Sequence, residues 1–170
     1  MNIASILGSL MDGNAVGAVS DKLNIPSDKV SSVLVSAIPV LLQNMQNNSS
    51  TESGASSLMK AMDDHSVNLG SITDMIKGVD LNDGAKILQH ILGGNTSSVL
   101  SGLASKNGIS SSQVSSILAA IAPSLLSLLG NAKGSGNSSD ALGALLGSLI
   151  GGKSGGSSIL GGLGRLFGKK

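Results

Sequence analysis

The chain of 170 residues contains no cysteine, no tryptophan and no tyrosine, a single phenylalanine (Phe167) and three prolines. Without cysteine it has no disulfide, no thiolate metal ligand and no thiol nucleophile, a lack that favours no compartment. Almost without aromatics, any core must be built from Leu, Ile, Val, Met and Ala, which pack as aliphatic helices more readily than as an aromatic-rich sheet. Charge is sparse and unevenly placed. Residues 1–130 carry six Lys against nine Asp and Glu, whereas residues 131–170 carry Lys133, Lys153, Arg165, Lys169 and Lys170 against Asp140. A weakly acidic body and a weakly basic tail can meet each other, or the tail can meet an anionic surface. The first cation is Lys22 and Asp12 interrupts the early apolar stretch, so no signal peptide is expected. The uncharged window 107–132 holds seven Ser, and its apolar part falls short of the roughly 20 residues of a confident membrane span. A cytoplasmic protein is the expectation.

What the chain has in excess is glycine, 24 residues against a usual share of about 7%, and repetition. Val30–Leu42 (VSSVLVSAIPVLL) lies over Val114–Leu126 (VSSILAAIAPSLL), 84 residues on, with Pro39 over Pro123. Ile6–Asn14 (ILGSLMDGN) lies over Ile87–Asn95 (ILQHILGGN) at a shift of 81, which leaves three extra residues in the connection of the later copy. A shared order of two helix-like segments implies one structural unit used twice.

Apolar residues at Val30, Val33, Leu34, Ala37, Ile38, Leu41, Leu42 and Met45 recur at the three- and four-residue spacing of one helix face. Val114, Ile117, Leu118, Ile121, Leu125, Leu126 and Leu129 repeat it, and Ala119, Ala120, Ala122 and Leu128 make that helix apolar almost all round, hence central. Ser27 and Asp28, and Ser110–Ser112, are the N-cap candidates. Pro39 and Pro123 each delete a backbone donor inside these helices and predict a bend or break at the same place twice. Short helices are expected over 53–63, 69–78 and 83–92, with a polar linker at Asn47–Ser53. The expected organisation is an all-α, internally duplicated helical bundle over residues 1–130, with copies at about 3–46 and 84–130 and connecting helices in 53–83. A flexible Gly/Ser-rich basic tail with short apolar helices follows over 131–170.

The two VSS(V/I)L helices with their P-x-L-L endings, the segment ILQHILGGN at Ile87–Asn95 and a Gly-rich tail ending LGRLFGKK resemble the YidB-like family of bacterial domains of unknown function. His90 sits where that pattern often has His, and Gln89 stands where a Gly is expected. The resemblance implies an all-helical bacterial protein with no assigned activity and supplies no catalytic or ligand residues.

The remaining motifs weigh against chemistry. Gly147–Ser154 (GSLIGGKS) fits the phosphate-loop string, but no strand precedes it and no acidic residue follows Asp140. Two segments, VSDKLNIPSDKVSSVL and LASKNGISSSQVSSIL, have the layout of a helix-turn-helix, yet Lys22 and Lys29 are offset by Asp21 and Asp28, and nucleic acid is disfavoured. Asp63, Asp64, His65, Asp74, Asp80, Asp83 and His90 have no fixed metal-ligand spacing, Asp83 reads as an N-cap and His90 as a core-edge histidine. No catalytic residue, cofactor or metal is assigned. The interaction residues expected are a glycine ridge, Gly143 and Gly147, and an amphipathic end formed by Leu160, Leu163, Arg165, Leu166 and Phe167. A non-enzymatic protein acting as a homo-oligomer or with a protein partner is the leading expectation, and attachment to a membrane surface through the tail is the alternative.

Overall fold

The fold was obtained as a computed structural model, which describes residues 3–64, 72–133 and 139–151. Every regular element among the described residues is helical: α1 (Ile3–Leu10), α2 (Gly13–Leu23), α3 (Ser27–Ser49), α4 (Glu52–Asp64), α5 (Ile72–Gly78), α6 (Leu81–Leu92), α7 (Thr96–Asn107), α8 (Ser111–Lys133) and α9 (Ser139–Gly151). A 3₁₀ turn, Gly93–Asn95, joins α6 to α7.

Helix α8 occupies the centre, and each of the other eight helices packs on it. From Ile117 to Leu129 every residue is buried, Pro123 included. The sequence stripe of α3 is buried in full, from Val30 to Met45. The opposite face of α3 is open, with Ser32, Val35, Pro39 and Gln43 exposed. Both helices continue through their prolines without interruption.

Local chemistry sets the ends of these helices. Asn24 and Gly108 adopt left-handed backbone at φ 53° and 64°, and in both turns the following isoleucine N–H reaches back to the carbonyl five residues earlier, Ile25 to Ser20 and Ile109 to Ala104. This is how an α-helix is stopped and its last carbonyls satisfied. The start of α3 follows Pro26, with Asp28 in its first turn, where a carboxylate suits the helix dipole. At α8, Ser110 and Gln113 form a reciprocal capping box, the Ser110 N–H donating to Gln113 Oε1 at 3.1 Å and the Gln113 N–H to Ser110 Oγ at 3.2 Å. Asp80, rather than Asp83, caps α6, accepting the Asn82 N–H at 2.9 Å.

Two expectations are corrected. The stretch 47–53 is not a linker: α3 runs to Ser49, and two residues separate it from α4. Asn48 explains this, since its Nδ2 donates to the His90 carbonyl (3.1 Å) and the Ile91 carbonyl (2.6 Å), tying the end of α3 to the end of α6. The body does not stop at residue 130 either. α8 continues to Lys133, and α9 packs on α3, α4 and α8 with Leu142 and Leu146 fully buried in the shared core.

The tightest crossing is α6 on α8. A Cβ placed on Gly84 would overlap the Ala119 carbonyl oxygen and stand 2.7 Å from its carbonyl carbon, and backbone cannot swing aside as a side chain can. Gly84→Ala should lower unfolding free energy by about 1–3 kcal/mol through overpacking. Gly17→Ala, in helix α2 where an added Cβ meets nothing within 4 Å, should raise it by about 0.5–1 kcal/mol. Urea unfolding of the two variants checks the contrast, and equal effects would refute it.

Candidate functional site

Of the expected interaction residues, Gly143 and Gly147 lie on α9, while Leu160, Leu163, Arg165, Leu166 and Phe167 lie outside the described residues. Within the chain, α9 makes its contacts through Leu142 and Leu146. An added Cβ at Gly143 meets nothing within 4 Å, and one at Gly147 meets only the Gln46 amide, at 3.5 Å. Gly143 instead lines an open cleft of about 630 Å³ with Gln46, Ser49, Ser50, Thr51, Glu52 and Ala144. The phosphate-loop string fares otherwise. Its residues Gly147–Gly151 are the last turns of α9, a helix where that chemistry needs a loop after a strand.

The first helix-turn-helix segment has the geometry of that motif, with α2 and α3 bent 112° from one another. Its cations are engaged elsewhere. Lys22 Nζ donates to the Lys77 carbonyl at 2.9 Å, at the end of α5, and Lys29 Nζ to the Asn107 carbonyl at 3.4 Å, at the end of α7. Each places positive charge where the helix dipole is negative and holds one helix to another, which is structural work rather than phosphate contact.

Acidic residues are dispersed along helix ends. Asp80 caps α6 and Asp83 lies in its first turn. Asp64 pairs with Lys60 at 2.8 Å across one turn of α4, and the hydrogen bond to that carboxylate, followed by its charge, raises the Lys60 pKa. Among the described residues no three His, Asp or Glu side chains gather closely enough to hold a metal ion. His90 is on the solvent side of α6 rather than at the core edge, with Ile87 and Ile91 buried beside it. His65 lies outside the described residues.

Helix α8 is more apolar than the composition argument allowed. Ser111–Asn131 is long and apolar enough to cross a membrane, and most of that stretch is buried inside the fold, as in the core helix of a bundle. Its two polar side chains in the middle, Ser124 and Ser127, are buried and their hydroxyls have no hydrogen-bond partner among the described residues.

The surfaces of α2 and α7 differ in how they are covered. On α2, the row Ala15, Ala18 and Val19 is buried, α5 packs against that helix, and Ile72 and Thr73 of α5 share a cleft with Ala15. On α7, Val99 and Leu100 are half-buried and Gly102 is exposed, and an added Cβ at Gly102 meets nothing within 4 Å. Sequence periodicity does not separate the two helices, because what differs is the neighbour and not the pattern.

Among known proteins, the family model of a bacterial protein of unknown function (DUF937) matches residues 5–133, the YidB-like family whose pattern the repeated helices carry. No curated protein and no solved structure matches the chain.

A buried hydroxyl without a partner costs about 1–3 kcal/mol of desolvation. Ser124→Ala and Ser127→Ala should therefore each stabilise the fold by about 1 kcal/mol, or several degrees in thermal midpoint. Thermal unfolding followed by circular dichroism measures this, and a loss of stability in both variants would show that the hydroxyls are satisfied in solution.

Proposed function

The chain belongs to the DUF937 family of bacterial proteins of unknown function, and we propose that it works by association, as a non-catalytic self-associating or scaffold protein built from a duplicated helical unit. Reciprocity between the two halves of the fold carries this reading. The series α1–α4 and α6–α9 run in the same order along the chain, with α3 and α8 as the long helix of each. Where α1, α2 and α4 pack on α8, α6, α7 and α9 pack on α3. Contacts exchanged in this way are those of a two-fold interface, in which a patch of one subunit meets a second patch of its partner and the reverse.

The chain then resembles two subunits fused in line, and the unit is one that recognises its like. Pro39 and Pro123 belong to that unit, each deleting a donor at the same helix position and letting the helix bend toward its neighbour. Further copies would meet through Gly143 and Gly147 and through the end residues Leu160, Leu163, Arg165, Leu166 and Phe167. A cytoplasmic location accords with the role. The same end residues serve the alternative, a membrane-surface anchor, in which apolar side chains enter the interface and Arg165, Lys169 and Lys170 meet anionic headgroups.

Light scattering of the full chain should give a mass that climbs with concentration above the 16.7 kDa of one chain. A constant single-chain mass at the highest concentration would sink the association reading. Flotation with anionic vesicles, lost on Leu163→Asp, would transfer the role to the membrane surface.

A further inference from the structure

We propose that the Asn107–Gly108 peptide, in the turn from α7 to α8, is a self-modification site: the Asn107 side-chain amide is lost through a cyclic imide when the end of α7 opens, and the folded turn holds that reaction back. The proposal is independent of the association reading.

One dipeptide defines the site. Of the asparagines in the chain, Asn107 alone precedes a glycine. The nucleophile for ring closure is the backbone nitrogen of the following residue, and a glycine, having no Cβ, leaves its approach unobstructed. The Gly108 nitrogen bonds to Cγ of Asn107 and gives up its proton, the Cγ–Nδ2 bond breaks, and the amide departs as ammonia. Water then opens the five-membered imide at one carbonyl or the other, leaving either an aspartate or its isomer, in which the main chain runs through Cγ. One water is consumed and one ammonia released, with no oxidant or cofactor. The related turn 84 residues earlier lacks this chemistry. There the left-handed position is taken by Asn24 itself, with Leu23 before it and the β-branched Ile25 after it, whose side chain crowds the nitrogen that would attack.

The fold restrains the pair. Asn107 is the last residue of α7, and the Gly108 N–H donates to the Ala104 carbonyl. Asn107 Nδ2 donates to the Leu103 carbonyl at 2.7 Å, and Oδ1 accepts from Ser36 Oγ of α3 at 3.5 Å. In a helix the side chain points back over the preceding turn, away from the nitrogen that follows it. Closure requires the reacting atoms to come within about 3–3.5 Å, and reaching that geometry breaks the bonds to Leu103 and Ala104. Gly108 is exposed and Asn107 half-buried, so opening the last turn of α7 is enough, and helix ends are where local opening costs least.

The product loosens the same corner. An aspartate at this position has no donor for the Leu103 carbonyl and sets a carboxylate at a helix C-terminus, where the dipole is unfavourable. Lys29 Nζ of α3 donates to the Asn107 carbonyl at 3.4 Å, and drawing it to the new carboxylate weakens the tie between α3 and α7. The isomer lengthens the main chain by one atom and displaces the left-handed turn. Conversion therefore records an opening of α7 and eases the next one.

Peptide mass mapping of the full chain, incubated in mildly alkaline buffer with and without unfolding guanidinium chloride, tests this. Asn107 should be the first asparagine to gain the mass of an acid, about tenfold faster in the unfolded chain than in the folded one. Asp12–Gly13 and Asp83–Gly84 form the same imide by losing water, so their isomers appear without that mass change. Another asparagine converting first, or equal rates in the two states, overturns the proposal. In guanidinium chloride, where folding plays no part, Gly108→Ala should slow conversion of Asn107 about tenfold, and an unchanged rate refutes the ring chemistry. Asn107→Asp in the full chain should speed amide exchange in the last turn of α7 about tenfold and leave the last turn of α2 unchanged. Unchanged exchange in α7 refutes the loosening.

Discussion

Everything in this molecule depends on one helix being surrounded. From Ile117 to Leu129 α8 has apolar or small residues on all sides, so any side left open would turn an apolar face to water, and eight other helices pack on it. In a core without a single described aromatic, the area buried per residue is modest, and close approach has to compensate. Gly84 against Ala119 is where that requirement is sharpest. Alanines at 119, 120 and 122 let neighbouring helices come close to the α8 backbone, and the leucines on either side fill the layers above and below. Burial of this kind contributes about 25 cal/mol per Å² of apolar surface. It tolerates few polar groups, which makes Ser124 and Ser127 the conspicuous exceptions.

The two long helices show which features a sequence makes legible. Period and composition identified every buried residue of the α3 stripe and the all-round burial of α8, because both follow from side-chain spacing within one segment. Helix stops at Asn24 and Gly108 were less visible, since a left-handed residue is licensed by the turn it closes. The polar run after Asn47 read as a linker, yet Asn48 satisfies two carbonyls at the end of a helix 42 residues away in sequence, a partner that no local pattern reveals. A short helix within the glycine-rich tail is legible, although three glycines in thirteen residues weaken it; what the sequence does not show is that Leu142 and Leu146 of α9 are buried in the shared core. The same limit applies to the candidate surfaces. Val99 and Ala15 look alike as apolar helix positions, and only the placement of α5 separates a covered face from an open one.

The lysines of α2 and α3 join helices to one another at the surface of the fold. Lys22 and Lys29 sit in a segment whose helices cross as a helix-turn-helix does, where a reader of nucleic acid would direct its cations outward to phosphate. Both instead meet carbonyls at the ends of other helices. The charge that could have made a binding surface is spent on joining α2 to α5 and α3 to α7.

The two long helices, whose sequences align at a shift of 84 residues, also differ in exposure. On one face, three positions and their counterparts 84 residues on have opposite exposure: Val35 is exposed and Ala119 buried, Pro39 exposed and Pro123 buried, Gln43 exposed and Ser127 buried. A face that is covered in one half is therefore solvent-facing in the other, and its residues follow suit, alanine and serine where a helix backbone approaches and glutamine where water does. Proline shows that the constraint is not only one of polarity. At either exposure it leaves the carbonyl four residues earlier without its usual donor. On the open face of α3 water can supply that bond, while in buried α8 the helix must absorb the loss.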